Sequence, residues 1–308
     1  MSHASTLPAF FDEALKASYS AADVERIAAG LAQRRATTLR ANALLTTRGE
    51  LAAALDAAGL PWEEVPWYGD AFVLGSTPAS ALWELDAYKE GRIYLQSLSS
   101  MIPPLLLEPA EGDEILDMCA APGGKTTQTA ALGGRRCYIT AVEMSAPRAE
   151  KLEFNLARQG AGGVNVLRQD ARRLDSFLSY SKVMLDAPCS GSGTLWLGDP
   201  KLDKRFNPGL LAKVRKSQAA LLDKALQLVK PGGLLVYSTC SVLKEENEQQ
   251  LSAALARASK RASYELEPVE LAGGECIPTL PSTLDGALTV CPTALYEGFF
   301  ACKVRRTA

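Results

Sequence analysis

Histidine is nearly absent from this chain of 308 residues, which contains a single one, His3. Because this one histidine lies in the N-terminal tail, Ser–His–Asp triads, histidine-based zinc sites and most general bases built on imidazole are excluded. The seven cysteines are an odd number and none of them has Cys-x-x-Cys spacing, which favours reduced thiols in a cytoplasmic protein. If the chain is an enzyme, cysteine, aspartate and lysine must therefore carry the chemistry.

Long apolar runs are also absent, and none approaches the ~20 residues that a membrane span requires. The N-terminus lacks a basic start followed by an apolar segment, so we expect no signal peptide. A net charge of −2 gives no overall attraction to nucleic acid, which leaves local basic patches as its source. With 47% hydrophobic and 22% charged residues, the composition is that of a globular protein with one large or two modest domains.

The pattern before residue 96 predicts a small domain that precedes a larger one, so we divide the chain into 1–95 and 96–308. Helical periodicity covers residues 1–35, and a compact α+β unit follows it. The elements expected next are a strand at 38–45, a helix at 50–58, short strands at 62–65 and 71–74, and a helix at 94–107.

Strands and helices alternate from residue 114 onward, which is the pattern of a parallel sheet covered by helices on both faces. The expected strands lie at 115–118, 137–142, 164–167, 183–185, 234–238 and 298–304. Four helices are expected: one that begins at residue 125, one at 147–159, a long one that begins at 207–208 and one at 245–258. A Pro/Gly-rich loop is expected at 272–292. The sequence therefore predicts an α/β fold with a Rossmann-like sheet.

The stretch 114–127 is the centre of this pattern, because a short apolar strand breaks at Pro122-Gly123-Gly124 and a helix begins at Lys125. Such a corner binds nucleotides at the free N–H groups of the helix. A phosphate-binding loop would need glycine at Cys119, and the Gly-x-Gly-x-x-Gly dinucleotide motif is missing. The remaining ligand is S-adenosylmethionine, which has an adenosyl group and a carboxylate; a plain strand-to-helix turn is the alternative.

Acidic side chains follow the next three strands at the edge where a parallel sheet binds ligands. Glu143 could accept hydrogen bonds from ribose hydroxyls, Asp170 could bind the adenine amino group, and Asp186 begins the segment Asp-Ala-Pro-Cys-Ser-Gly-Ser-Gly. Each acid taken singly could be a helix cap instead. Together they predict a cofactor site along this edge.

Cys189 and Cys240 are 51 positions apart but follow adjacent predicted strands, so both could face one pocket. A buried, inert thiol is the usual role of a cysteine. Here both thiols lie in loops beside small residues, where a reactive thiolate could form. Methyl transfer to C5 of cytosine needs such help, because a thiolate that adds to C6 turns C5 into an enamine-like nucleophile.

This combination resembles the Fmu/Sun family of RNA cytosine-5 methyltransferases (the Nol/Nop/Sun group) over most of the chain. The matching segments are 116–127, Glu143 with Arg148, Asp170, 186–193, 238–241 with Glu245-Glu246-Asn247, Glu297-Gly-Phe-Phe300 and Thr38-Leu39-Arg40-Ala41-Asn42. The resemblance implies that Cys240 is the nucleophile and that Cys189 assists breakdown of the covalent intermediate. Asp186 and Lys125 would contact cofactor and cytosine.

The resemblance also implies a cofactor site and a small RNA-recognition-like N-terminal domain. The residues implied to hold S-adenosylmethionine are Cys119, Ala120, Ala121, Pro122, Gly123, Gly124, Lys125, Glu143, Arg148, Asp170 and Asp186. Two departures from the family pattern are Ser97, where an acid is frequent, and the non-basic segment 194–198, where Trp196 could stack on a base.

A basic stretch beside the predicted active site indicates RNA contact, with a solvated helix face as the alternative. It contains Lys201, Lys204, Arg205, Lys213, Arg215 and Lys216. A base that reacts in the pocket must be unstacked, which favours single-stranded or looped RNA.

We therefore predict an S-adenosylmethionine-dependent enzyme that forms 5-methylcytosine in ribosomal or transfer RNA, without a metal or a membrane partner. A DNA cytosine methyltransferase would instead use Cys189 as nucleophile, and a non-catalytic cofactor- or RNA-binding assembly protein would need neither thiol. A dehydrogenase is disfavoured by the missing dinucleotide motif.

Overall fold

The computed structural model describes residues 7–202 and 206–308, so His3, Lys204 and Arg205 lie outside the described residues. The helices are α1 (Ala9–Lys16), α2 (Ala21–Ala32), α3 (Arg48–Ala57), α4 (Asp86–Lys89), α5 (Leu98–Leu107), α6 (Gly124–Leu132), α7 (Ala146–Arg158), α8 (Pro208–Leu228) and α9 (Glu248–Ala258). The strands are β1 (Thr38–Ala41), β2 (Glu63–Glu64), β3 (Ala71–Val73), β4 (Ile93–Leu95), β5 (Glu114–Asp117), β6 (Tyr138–Val142), β7 (Asn165–Leu167), β8 (Tyr180–Asp186), β9 (Val229–Thr239), β10 (Tyr264–Glu267), β11 (Thr279–Leu280), β12 (Leu288–Val290) and β13 (Phe299–Arg306).

The small N-terminal sheet has the antiparallel order β2-β3-β1-β4 and packs on α3. Thr47 and Glu50 form a reciprocal capping box that starts α3. Helices α1 and α2 pack elsewhere, sharing an apolar cluster with Leu197 and Val242 of the larger unit. The N-terminal helices therefore contact the loops that follow β8 and β9.

The large sheet has the order β11-β12-β13-β9-β8-β5-β6-β7, with β10 paired to β13. Strands β5 to β9 are parallel, β13 is antiparallel to β9, and the order reverses between β5 and β8. Ile115 and Leu116 belong to different buried clusters, as alternation along a strand covered on both faces requires. The predicted α/β fold is confirmed, with antiparallel strands added at one edge.

Three predicted elements differ from the structure. The helix predicted at 94–107 is strand β4 followed by α5, because Ser97 caps the helix by accepting a hydrogen bond from the Ser100 N–H. The predicted loop 272–292 contains the edge strands β11 and β12. Strand β9 begins at Val229 rather than at residue 234. Its Pro-Gly-Gly segment, expected to be a loop after the preceding helix, is instead an irregular part of the strand where the pairing with β8 shifts register.

The small sheet is joined to α6 through a buried arginine on β1. Arg40 Nε donates to Gln96 Oε1 at 2.9 Å, and its Nη2 donates to Thr127 Oγ1 at 2.6 Å and to the Gly124 carbonyl at 3.1 Å. Asn42 similarly donates to the carbonyl oxygens of Gly91 and Gln159. The Arg-x-Asn signature of the sequence is therefore a structural joint.

No helix in residues 7–202 and 206–308 is long and apolar enough to cross a membrane. Within the same ranges, no group of three or more histidine, cysteine, aspartate or glutamate side chains is arranged to hold a metal ion.

Candidate active site

The corner between β5 and α6 positions backbone N–H groups at the switch point of the sheet. Gly123 caps α6 with a φ of 105°, a left-handed conformation that favours glycine. Below it, Asp117 Oδ2 accepts a hydrogen bond from Thr126 Oγ1 at 2.7 Å. Burial, reinforced by the charge of Asp186, raises the pKa of Asp117 to about 6.

The two thiols predicted to share a pocket are in direct contact. Cys189 follows β8 and Cys240 follows the adjacent parallel strand β9, and their sulfur atoms are 3.1 Å apart. The hydrogen bond to Cys240 and burial raise the pKa of the Cys189 thiol, so Cys189 keeps its proton and can donate it toward Cys240.

A buried carboxylate connects the two thiol loops. Glu246 accepts hydrogen bonds from the Ser190 N–H at 2.7 Å, from Ser190 Oγ at 2.5 Å and from Ser241 Oγ at 2.6 Å. Ser190 is next to Cys189, and Ser241 is next to Cys240. Burial raises the pKa of Glu246 above its ordinary value. We call Glu246, Ser190 and Ser241 the loop clamp.

Lys125 and Asp186 form an ion pair beside the thiols, with Nζ and Oδ2 2.8 Å apart. Lys125 also donates to Ser100 Oγ at 2.7 Å, and Ser238 Oγ donates to Asp186 Oδ1 at 2.8 Å. Burial alone would lower the pKa of Lys125, but the carboxylate of Asp186 outweighs it and the pKa is raised. Lys125 is therefore a positively charged donor, 5.6 Å from the centroid of the Phe299 ring.

Two cavities meet at Cys119. The larger encloses about 350 Å³ between the corner and the thiol loops, and the smaller encloses about 60 Å³ beyond the ends of β6 and β7. The larger is lined by Tyr94, Leu95, Gln96, Ser97, Ser100, Asp117, Cys119, Ala120, Ala121, Pro122, Gly124, Lys125, Asp186, Thr194, Cys240, Glu297 and Phe299. Cys240 thus borders the larger cavity, whereas Cys189 lies behind it.

The smaller cavity brings together the other predicted cofactor residues. Glu143 is only 3% exposed, and Arg148 lies beside its carboxylate with Nη1 and Oε2 3.3 Å apart. Glu143 Oε1 accepts from the Ser145 N–H at 2.9 Å, which leaves further acceptor positions for ribose hydroxyls. Exposed Met144 borders this cavity and offers an apolar surface to a base.

Asp170 lies in the same cavity but has a partner that the sequence did not suggest. Arg172 holds both carboxylate oxygens, with Nη2 2.7 Å from Oδ2 and Nε 2.9 Å from Oδ1. The Arg172 N–H donates a third hydrogen bond to Oδ1 at 3.0 Å, and because a carboxylate has about four acceptor positions, one remains for an amino group. The donor set, the glycine corner and the two cavities that share Cys119 therefore fit S-adenosylmethionine.

Several residues of the larger cavity were missed by sequence reasoning. Ser100 on α5 reaches Lys125, and no local motif marks it. Ser97 Oγ donates to Glu297 Oε2 at 2.6 Å, which closes the cavity opposite the thiols. Only the closing-strand motif at Glu297 pointed to this wall. Its polar lining depends on chain segments about 200 residues apart.

The predicted basic stretch is only partly described. Lys201, Lys213 and Lys216 are exposed, whereas Arg215 is paired with Glu245. Trp196 does not stand alone, because the Arg34 guanidinium lies 4.0 Å from the centroid of its ring.

Comparisons with known proteins match both parts of the chain. A family model described as 16S rRNA methyltransferase RsmB/F matches residues 104–305, and a second, described as the RsmF/B-like ferredoxin-like domain, matches residues 7–79. The ribosomal RNA small subunit methyltransferase F of Shewanella amazonensis is 35% identical over 277 residues, covering 88% of this chain and 58% of that protein. The protein of the same name from Shewanella loihica is 33% identical over 279 residues, covering 88% and 56%.

Solved structures share the architecture. A methyltransferase homolog from Pyrococcus horikoshii has a TM-score of 0.77 and 28% identity, covering 97% of this chain and 99% of that one. NSun6 from the same organism, solved with SFG, has a TM-score of 0.85 at 23% identity and covers 98% of both chains, which is a likeness of fold.

These matches confirm the predicted resemblance, the methyltransferase fold with its small N-terminal domain, and S-adenosylmethionine as the cofactor. The chain spans 58% and 56% of the length of the two curated relatives. With its family model covering residues 104–305, the chain belongs to the RsmB/F family of 16S rRNA methyltransferases.

Proposed function

We propose that this protein forms 5-methylcytosine in small-subunit ribosomal RNA through a covalent bond between Cys240 and C6 of the target base. The observation that carries the proposal is the placement of Cys240 in one cavity with the cofactor corner and the Lys125–Asp186 pair, with the Cys189 sulfur 3.1 Å from its own.

Cys240 supplies the activation that cytosine needs. Its thiolate adds to C6, and the electrons of the C5–C6 double bond move toward N3 and O2 of the ring. The ammonium of Lys125 donates a hydrogen bond to the ring and stabilises this charge, while Asp186 accepts one from the amino group at the base edge. Ser100 and Ser238 hold these two side chains in place.

The cofactor residues orient the methyl donor against C5. Segment 119–125 would hold the amino-acid end, Glu143 with Arg148 the ribose, and Asp170 the adenine. When bound, S-adenosylmethionine supplies the methyl group that C5 accepts. The neighbour solved with SFG, an analogue of this cofactor, supports the assignment.

Cys189 completes the reaction by protonating the sulfur that leaves the adduct. Loss of the C5 proton to solvent leaves the electron pair that restores the C5–C6 double bond and expels the Cys240 sulfur from C6. The Cys189 thiol, which the hydrogen bond to Cys240 and burial keep protonated, gives its proton to that sulfur as it leaves. Cys189 then regains a proton from solvent and Cys240 loses one before the next turnover, so both sulfurs return to their starting state.

Substrate and location follow from the relatives. Their names refer to the small ribosomal subunit, which favours ribosomal over transfer RNA and a cytoplasmic protein. We assign residues 1–95 to RNA binding and 96–308 to catalysis. A target cytosine in single-stranded or looped RNA fits a cavity of about 350 Å³, because the base must leave its stack to enter.

The test is bisulfite mapping of ribosomal RNA from cells that carry Cys240→Ala or the wild-type protein. We expect one discrete 5-methylcytosine to disappear with the substitution. Survival of every 5-methylcytosine would contradict the proposal and would favour the non-catalytic assembly protein.

A second variant separates the roles of the thiols. With Cys189→Ala, the adduct should form and break down slowly, so RNA should remain attached to the protein through denaturing electrophoresis. The double variant Cys189→Ala/Cys240→Ala should trap none. Trapping by Cys240→Ala instead would reverse the thiol roles, as in a DNA cytosine methyltransferase.

A further inference from the structure

The segment after Cys189, which includes the cavity-lining Thr194, is fixed to helix α2 and to the residues just after it. The Leu197 N–H donates to the Leu31 carbonyl at 3.0 Å, and Arg35 Nη2 donates to the Gly193 carbonyl at 2.8 Å. Between these contacts, the Arg34 guanidinium lies 4.0 Å from the centroid of the Trp196 ring. The stack is therefore held from both sides.

The ring is supported by backbone as well. A Cβ on Gly198 would lie 2.2 Å from Trp196 Cζ2, so the absence of a side chain there lets the backbone pack on the indole. Arg34 is exposed, and within residues 7–202 and 206–308 it has no ion-pair partner. Arg26 on α2, in contrast, is paired with Asp23. The structure thus presents an ordered, planar cation to solvent.

The stack lies close to the reacting base. Thr194 lines the larger cavity together with Cys240, and Trp196 is two residues further along. Two residues span at most about 7 Å of extended chain. Nucleotides in a stacked strand repeat about every 3.4 Å. The stack is therefore within about two nucleotides of a cytosine in the cavity.

We propose that Arg34 and Trp196 form a platform on which a base flanking the target cytosine stacks. A guanidinium plane backed by indole suits this role, because it stacks on any base and attracts the phosphate beside it. The occupant is single-stranded RNA, and the platform supplies the contact that the non-basic segment 194–198 otherwise lacks. The proposal rests on the proposed function, of which it names a substrate-binding surface.

Equilibrium binding of oligocytidine tests the platform without turnover. Base stacking should quench the fluorescence of Trp196 in the wild type, and Trp196→Phe should abolish that part of the quenching with little loss of affinity. Trp196→Leu and Arg34→Ala should each weaken binding about tenfold, which corresponds to about 1.4 kcal/mol. Phe177→Leu, which removes an aromatic ring that is 96% exposed and lies outside residues 1–95, is the control and should bind as the wild type does.

An abasic strand of equal length separates stacking from charge. The affinity of Trp196→Leu for this strand should equal that of the wild type, because no base is present to stack. Equal affinity of the wild type and Trp196→Leu for oligocytidine would overturn the proposal. A tenfold loss on the abasic strand would also overturn it, since the stack would then only shape the loop.

Methylation kinetics on the mapped RNA distinguish this proposal from the proposed function. Trp196→Leu should raise KM about tenfold with kcat unchanged, and Trp196→Phe should restore KM. If the wild type methylates RNA but KM is unchanged in Trp196→Leu and Arg34→Ala, the platform is refuted alone. If the wild type does not methylate while the quenching behaves as expected, the proposed function fails and the platform stands.

Discussion

We predict that the loop clamp holds the two thiols at their observed separation. Glu246 is fully buried and accepts three short hydrogen bonds, two from Ser190 and one from Ser241. In Glu246→Ala the hydroxyls can turn to other partners, but the Ser190 N–H is left without its acceptor and a cavity remains. Counting about 1–3 kcal/mol for each buried group left unsatisfied, we expect a loss of about 3 kcal/mol in the free energy of unfolding.

Glu246→Gln should lose only about 1 kcal/mol, because its carbonyl can still accept from the Ser190 N–H and its amide can donate to the hydroxyls. Glu245→Ala is the neighbouring control, since it removes a half-exposed pair with Arg215 that contributes at most ~1 kcal/mol. Urea unfolding of the three variants gives these values. A Gln variant as unstable as the Ala variant would refute the hydrogen-bond argument.

Activity gives the second measure of the clamp. If Glu246→Ala lets the thiol loops move apart by about 1 Å, kcat for methylation should fall about 100-fold, while Glu245→Ala should be unaffected.

The contribution of Glu246 to the free energy of unfolding should also depend on pH. Because burial raises the pKa of Glu246 above its ordinary 4.5, the carboxyl loses stabilising effect as pH rises from that value through its folded pKa. The stability deficit of Glu246→Gln should therefore be smaller at neutral than at acidic pH.

Three further predictions concern the corner and the joint. Burial raises the pKa of Asp117 from 3.8 to about 6, so the stability that its protonated form contributes is lost as the pH rises from 3.8 through 6. In Asp117→Asn, the urea midpoint should therefore no longer fall with pH over this range. Gly193→Ala places a Cβ 1.8 Å from the Gly298 carbonyl oxygen and should cost about 3 kcal/mol in urea unfolding, whereas Gly162→Ala, with open space around it, should be neutral. Arg40→Lys cannot keep its forked hydrogen bonds and should lower the melting temperature, with weaker binding of S-adenosylhomocysteine by calorimetry.

The strand-end residues could be predicted because parallel strands direct their carboxyl ends to one edge. That rule is sufficient to bring Cys189 and Cys240 together, although they are distant in sequence. The rule does not identify the partners of these residues: it predicts Asp170 as a ligand for adenine but gives no sign that Arg172 also binds its carboxylate. The loop clamp was also out of reach, because the pattern around Glu246 does not say which hydroxyls its carboxylate meets.

The missed elements have local causes. The sequence pattern predicts a helix over strand β4 because its apolar residues continue into those of α5, and only Ser97 marks the boundary. Strands β11 and β12 are two and three residues long, so they have too few positions for alternation to be visible. Their pairing with the long strand β13 makes them strands.

Arg40 lies within residues 1–95, which we propose to bind RNA, yet its guanidinium donates hydrogen bonds to the first turn of α6, where the methyl donor is expected. RNA bound to one side of this joint and cofactor bound to the other are therefore coupled through the hydrogen bonds of Arg40. Thermodynamic reciprocity then requires that any factor by which RNA tightens cofactor binding equals the factor by which the cofactor tightens RNA binding. We expect both factors to exceed one in the wild type and to approach one together in Arg40→Lys, and calorimetric titrations in either order measure them. Reciprocity requires that the two factors fall equally. Factors of one in the wild type would show that Arg40 does not couple the RNA and cofactor sites.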